Sequence, residues 1–275
     1  MPERRRTVWL VVALVAVATL VPALSMGRPA NEIPVEDSTA DPETLLDPSA
    51  EAWGEVPPVD VPLSSAPSTV PNADSISIES VSVQAARTDG QLLVRLSWAD
   101  ATRDESSDGP RQFEDAAAVQ VPVNTTTRPP IAMGSTRNLV NVWYWHGGGG
   151  QQELLAGGVG STTQFSDQQV RTERQYSDGR WTVVYARPLG TDAANRSDLT
   201  VDHDIDVAFA VWNGSNMERS GRKSISEWYH FSLGPGVQGP PWENILWAVA
   251  GLAIGVVVLV SGHAIWKTRE GEHGE

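Results

Sequence analysis

Between Trp53 and Leu233 apolar side chains recur at every second position in short runs, and this spacing limits the possible folds more than any other feature of the chain. Leu92, Val94, Leu96 and Trp98 alternate strictly, as do Ala117, Val119, Val121 and Val123. Further runs are Val140-Val142-Tyr144, Trp181-Val183-Tyr185, Ile205-Val207-Phe209-Val211 and the stretch from Trp228 to Leu233. Successive side chains of a strand point to opposite faces, so each run reads as a strand with one face on a core. No helical period interrupts them. Asp89-Gly90 is a two-residue hairpin signal between the strands of Val83 and Leu92. Val59–Leu63 is a short extended segment, and the glycines at 147–150 and 157–160 read as a long irregular insertion. Seven or eight such strands predict an all-β fold, an antiparallel β-sandwich, over residues 51–234.

Two apolar runs flank that region. Trp242 to Trp266 has no Lys, Arg or Asp and is long enough to cross a hydrocarbon core of about 30 Å as a transmembrane helix. Tryptophans stand near both ends, and Lys267 and Arg269 follow at once, which assigns the tail 267–275 to the cytoplasm. His263 lies inside this run and reads first as a polar residue facing other helices. At the other end, Arg4–Arg6 precede an apolar stretch from Val8 to Leu24. Residues 1–27 therefore read as a signal peptide or a retained N-terminal anchor. Either way the main domain is expected outside the cytoplasm, on the cell membrane. Residues 28–50, rich in Pro, Asp, Glu, Ser and Thr, read as a disordered acidic linker.

Composition narrows the chemistry. With no cysteine, disulfides, iron–sulfur clusters, blue copper and c-type haem attachment all lack their thiols. The net charge of −14 leaves no basic footprint for nucleic acid. Lysine occurs only at 223 and 267, and an acidic surface nearly stripped of lysine suggests a halophile's high-salt setting. No nucleophile elbow, zinc-binding helix or P-loop motif is present, so no catalytic residue is assigned and the chain is not expected to be an enzyme itself. His203 between two aspartates reads as a solvated edge, His230 as structural, and His146 beside the glycines as a second-rank metal or haem ligand. Asn124, Asn195 and Asn213 head three glycosylation sequons.

Two residues are not explained by packing. Lys223 is the lysine of the outside domain in a chain that elsewhere uses Arg, and lysine, unlike arginine, can lose its proton and offer a lone pair. Deprotonating it at pH 7 costs roughly 4–5 kcal/mol, which a metal bond could offset. Met133 sits in a Pro-Pro-Ile-Ala-Met-Gly turn, where a thioether is odd as packing but suits a soft ligand to haem iron. Taken alone, each has an ordinary alternative: a surviving surface lysine and a space-filling methionine.

The segments around these two, FEDAAAVQVPV, the Met133-Gly134 turn with NVWYW after it, and VAFAVWNGSNMERSGRKSISEWY, are more specific. Together with Arg187-Pro188-Leu189, they resemble the haem b (gamma) subunit of the type II dimethyl sulfoxide reductase family, over about Trp53 to Leu233. That family includes ethylbenzene dehydrogenase and the selenate, chlorate and dimethyl sulfide enzymes, and archaeal nitrate reductase clusters carry a similar protein. The resemblance implies a β-sandwich holding one haem b with axial methionine and lysine, matched here by Met133 and Lys223; Met217 is the second methionine of the same region. It also implies an electron-transfer subunit that partners molybdenum-enzyme and iron–sulfur subunits and is served by a membrane cytochrome or a quinol donor. Arg137, Arg187, Arg219 and Arg222 are candidates for the haem propionates, and Trp143, Trp145, Trp212 and Trp228 for pocket wall or sandwich core. The competing readings are a cell-surface carbohydrate-binding module and a tethered structural domain. Nitrate is the first expectation for the partner's substrate.

Overall fold

The computed structural model describes residues 31–200 and 203–233. The expected signal run, transmembrane helix and cytoplasmic tail lie outside the described residues. Among those described, no helix is long and apolar enough to cross a membrane. The strands are β1 (Glu32–Asp37), β2 (Val59–Pro62), β3 (Ser64–Ser65), β4 (Ser80–Thr88), β5 (Gln91–Ala99), β6 (Ala116–Pro122) and β7 (Val140–His146). They continue as β8 (Gly150–Ala156), β9 (Thr162–Gln164), β10 (Arg171–Ser177), β11 (Arg180–Pro188), β12 (Ile205–Trp212), β13 (Ser224–Ile225) and β14 (Tyr229–Ser232).

These strands form one curled sheet in the order β10-β11-β5-β4-β1-β14-β12-β6-β7-β8-β9. Most neighbours are antiparallel, as expected, but β1 runs parallel to both of its own. Its first half pairs with β14 (Ile33 opposite Phe231) and its second half with β4 (Glu36 opposite Ala86). One strand thus hands over from one half of the sheet to the other, a corner of the kind that closes two-layer β folds. The architecture is all-β and mixed, where the sequence predicts a purely antiparallel sandwich.

Between the halves lies the main core. Val83, Leu92, Val94, Leu96, Val183 and Tyr185 face Val119, Val121, Val207, Phe209, Val211 and Phe231. Trp145 of β7 makes edge contacts with Trp98 of β5 and Trp181 of β11, at 6.2 and 5.0 Å between ring centroids. Such a cluster adds about 0.5–1.5 kcal/mol per ring pair beyond the area it buries. Trp143 and Trp145 are therefore core residues, and of the four candidate wall tryptophans only Trp212 and Trp228 stand on an outer face. The hairpin at Asp89-Gly90 is present, with both residues at positive φ (44° and 73°), as a turn matching strand twist requires.

Residues 31–50, expected as a disordered linker, are ordered. Ile33 and Leu45 are completely buried. Asp41 caps a short helix α1 (Pro42–Leu46) by accepting from the Thr44 amide at 3.0 Å, with Pro42 opening the first turn. Leu45, Leu46, Trp53 and Val56 cover the outer face of β4, β5 and β11 at Ala86, Leu93, Val184 and Ala186. Gln84 donates to the carbonyls of Trp53 and Val56, and the Trp53 indole donates to that of Leu45. What composition scored as polar linker holds strand β1, a capped helix start and three apolar anchors, Ile33, Leu45 and Leu46. The glycine-marked insertion is likewise not irregular: it holds β8, β9 and β10, whose sequences (GQQELLA, TTQ, RTERQYS) are too polar to show alternation.

Leu45→Ala should lower unfolding stability by roughly 2–4 kcal/mol in urea titrations, the usual cost of emptying a buried leucine site. A disordered linker predicts no change.

Candidate functional site

The same alternation that fills the core leaves β6, β7 and β12 with a second, outward face. Ala117, Val119 and Val121 point inward, so Ala118 and Gln120 point out; Phe209 and Val211 point inward, so Ala208, Ala210 and Trp212 point out. Ala210 pairs with Ala118 and Ala208 with Gln120, while Tyr144 flanks Ala118 on the β7 side. The result is a strip of small side chains with Val140, Val142, Ala156 and Trp228 buried around it. Unlike the opposite outer face, this one has no helix laid across it among the described residues.

Met133 stands at one end. Its turn is pinned by Gly134 N–H donating to the Pro130 carbonyl, by Gly158 N–H donating to the Met133 carbonyl, and by the Gln120 amide donating to the Ile131 carbonyl. Met133 and Gly134 both adopt left-handed φ (63° and 72°), and a Cβ at Gly134 would lie 2.6 Å from the Asn138 carbonyl oxygen. Only glycine fits there, and the turn aims Met133 into the apolar cluster. Met217 also has positive φ but is 40% exposed and outside that cluster, so the geometry favours Met133.

Lys223 stands at the other end. Its carbonyl accepts from the Ala66 amide at 3.0 Å, and Ser224 next to it pairs with Val211. The Nζ lies 4.8 Å from the Trp212 ring centroid. Burial draws its pKa down to about 8, and among the described residues no carboxylate opposes that pull. Trp212 pairs with Ala116, and the Met133 turn attaches at Gln120, so the β6 positions beside the two segments lie four residues apart, about 13 Å of strand. A thioether and a deprotonatable amine at opposite ends of a small-residue strip fit a planar metal macrocycle held by two axial ligands. The other expected ligand, His146, lies on this face too, but its Nδ1 is engaged by Glu114 and its ring stacks on Tyr144.

Comparison with known proteins finds relatives across the region that holds this face. The ethylbenzene dehydrogenase family model matches residues 50–167 and 158–224, a span that includes both Met133 and Lys223. A protein of Haloferax mediterranei provisionally named respiratory nitrate reductase heme subunit is 61% identical over 94% of this chain and 93% of its own. The chlorate reductase subunit gamma of Ideonella dechloratans is 34% identical over 66% of this chain and 77% of its own. The dimethylsulfide dehydrogenase subunit gamma of Rhodovulum sulfidophilum is 33% identical over 72% and 79%.

The chain belongs to the ethylbenzene dehydrogenase family.

It is a gamma-type member, as the motifs around Met133 and Lys223 implied. A solved carbohydrate-binding protein from Bacteroides uniformis aligns with a TM-score of 0.46 at 12% identity, over 76% of this chain and 93% of that one, too loosely to carry an argument.

Other residues singled out in this family member fall into different places. Arg187 is wholly buried: its Nη1 donates to the Ser197 carbonyl at 2.6 Å, its Nε lies 3.8 Å from Glu153, and burial lowers its pKa to about 10. It belongs to an internal Arg187–Glu153–Arg196 network and is unavailable to a ligand on the outer face. Arg137 is exposed on the loop of Met133, Arg219 lies over the Phe113 ring, and Arg222 donates to the Ser75 carbonyl. His203 hydrogen-bonds Thr125, and His230 lies 3.9 Å from Asp204. Asn213 is buried and bonded to Asp100 and Ser215, which closes its sequon to a bulky modification, whereas Asn124 and Asn195 are exposed.

Sequence reasoning missed the support under Lys223. Asp115, fully buried at the start of β6, accepts from the Gly214 amide (2.9 Å), the Trp181 indole (2.8 Å) and the Asp104 amide (2.8 Å). Glu218 accepts from the amides of Asn213 and Ser77, and Asp100 from Asn213 and Thr102. These carboxylates tie the loop between β12 and Lys223 to the rest of the sheet. Burial pushes Asp115 up to about 6, reinforced by the Asp100 charge, against the pull of its three donors; burial raises Asp100 too. Because the folded pKa of Asp115 exceeds the unfolded value of about 3.9, its stabilising contribution is full below pH 4 and is lost as pH rises through 6. Relative to Asp115→Asn, the wild-type chain should therefore lose about 2–3 kcal/mol of stability between pH 4 and 7. A difference curve that stays flat across that window counts against a raised pKa.

Proposed function

We propose that this protein is the haem-carrying electron-transfer subunit of a molybdenum oxidoreductase complex, with Met133 and Lys223 as the axial ligands of one haem b. The observation that carries the reading is the outer face of β6 and β12, where a thioether and a lysine with lowered pKa bracket a strip of alanines. A six-coordinate haem leaves no open iron position and supplies one-electron transfer, not bond-making. Lys223 contributes by being half-buried with desolvation as the cause of its lowered pKa, which favours the neutral amine that a metal bond requires. Met133 contributes a soft donor held in place by the glycine-dependent turn. The alanines keep the face flat, and Trp228, Leu154 and Ile131 at its margins exclude water.

Kinship to proteins named as haem or gamma subunits supports an iron–sulfur and molybdenum partner here, and 61% identity to the relative named for nitrate reductase supports nitrate as that partner's substrate. The apolar runs at 8–24 and 242–266 support a domain held at the outer surface of the cell membrane, within reach of a membrane cytochrome or quinol donor. Such a tether raises local concentration at the bilayer.

Purified as the full chain, the protein should show a Soret band with sharp α and β bands on reduction, and it should co-purify with a molybdenum-containing subunit. A colourless protein that binds oligosaccharides would overturn the proposal. Lys223→Arg should remove most of the low-spin signal, because a guanidinium keeps its proton. Met133→Ala should turn most of the haem high-spin; native bands in that variant would transfer the role to Met217 or His146.

A further inference from the structure

We infer that Trp212 is the positioning residue that delivers Lys223, and not His146, to the metal. The inference rests on the reading of Lys223 as a haem ligand and adds how this chain selects it. Trp212 touches the Lys223 segment twice. Its ring lies under the Nζ at 4.8 Å, and its indole N–H donates to the Ser220 carbonyl at 3.3 Å. The first contact holds the tip of the side chain, and the second holds the turn that precedes it.

That turn needs holding. Met217 and Ser220 both sit at left-handed φ (57° and 50°) without being glycine, so the backbone between β12 and Lys223 is kept in place by its contacts, not by its own preference. Arg222 braces it from outside through the Ser75 carbonyl and the Asn216 side chain. The backbone of Lys223 is fixed through the Ala66 amide, yet its four-torsion side chain would still range freely. The Trp212 ring packed against the end of that side chain removes rotamers that carry the Nζ away, so part of that freedom is lost before any ligand arrives, at a gain of order tenfold in population.

Trp212 is itself buttressed from the sheet. Its ring meets Tyr144 edge-on (5.6 Å, 89°), Tyr144 stacks on His146 (5.9 Å, 27°), and Glu114 pairs with the His146 Nδ1. Along this row two aromatic rings separate Lys223 from His146, a nitrogen donor on the same face. The row keeps His146 on its carboxylate and presents the amine instead. Removing Trp212 frees the lysine and opens the way for the imidazole.

The test uses the full chain with Trp212→Leu and Trp212→Phe, before and after haem loading. Lys223 and Lys267 are the chain's two lysines, so reductive ¹³C-methylation yields two lysine signals and the amino terminus. In the haem-free wild type the Lys223 methyl signal should be shifted upfield by the indole ring current. The shift should vanish in Trp212→Leu and persist, reduced, in Trp212→Phe. With haem, Trp212→Leu should retain the cofactor about tenfold less tightly and show a changed midpoint potential with a histidine-ligated fraction, which Trp212→Phe largely restores. An unshifted Lys223 signal in the wild type, or native haem retention and potential in Trp212→Leu, overturns the inference. If Lys223→Arg leaves the haem spectrum unchanged, the ligand assignment fails instead. If Lys223→Arg alters the spectrum and Trp212→Leu does not, only the role of Trp212 fails.

Discussion

A strand presents two faces, and a curled sheet of two halves therefore has four to account for. Two of them meet in the main core, where Trp145 from one half is held between Trp98 and Trp181 of the other. The third is covered by elements near the start of the described residues, with Leu45, Leu46 and Trp53 laid over β5 and β11. The fourth, built on β6 and β12, is lined with alanines and carries no covering helix among the described residues. Its small residues are buried beneath Ile131, Met133, Tyr144, Leu154 and Trp212, which pack against them. Met133 and Lys223 stand at its two ends.

Strand β1 decides how the halves stay together. It is the first described strand, yet it pairs with both β14 and β4, so the beginning and the end of the domain are bound in one ladder. The loops are secured differently, by buried charge. Glu153 of β8 accepts from Arg196 at 3.0 Å, with Arg187 beside it, and Asp115, Asp100 and Glu218 gather the amides of the segment leading to Lys223. Removing one partner of such a network costs more than the network itself contributes, because a charge is then left without compensation. These groups hold the functional loops in shape without touching the candidate ligand site.

Much of this was legible in the sequence, for identifiable reasons. The core strands were visible because their alternation is strong, and the Asp89-Gly90 turn because it needs positive φ at both positions. Strands β8 and β10 were hidden because polar strands at or next to a sheet edge have no period to read. The segment 31–50 was misread because Ile33 and Leu45 are too few to make a pattern, although each is completely buried. Arg187 was misplaced because a buried guanidinium and an exposed one look alike until the fold puts Glu153 beside one of them.

The amino-acid sequence by itself determined the core strands, the exclusion of thiol chemistry and the two residues whose type suits metal ligation, since these depend on local period and on what a side chain can donate. Tertiary structure alone decided that Met133 and Lys223 share a face, that Met217 and Arg187 do not join them, and that Trp212 stands under the amine. Those outcomes depend on which strands pair. Pairing places residues nearly a hundred positions apart within reach of one another, and no local pattern along the chain carries that information.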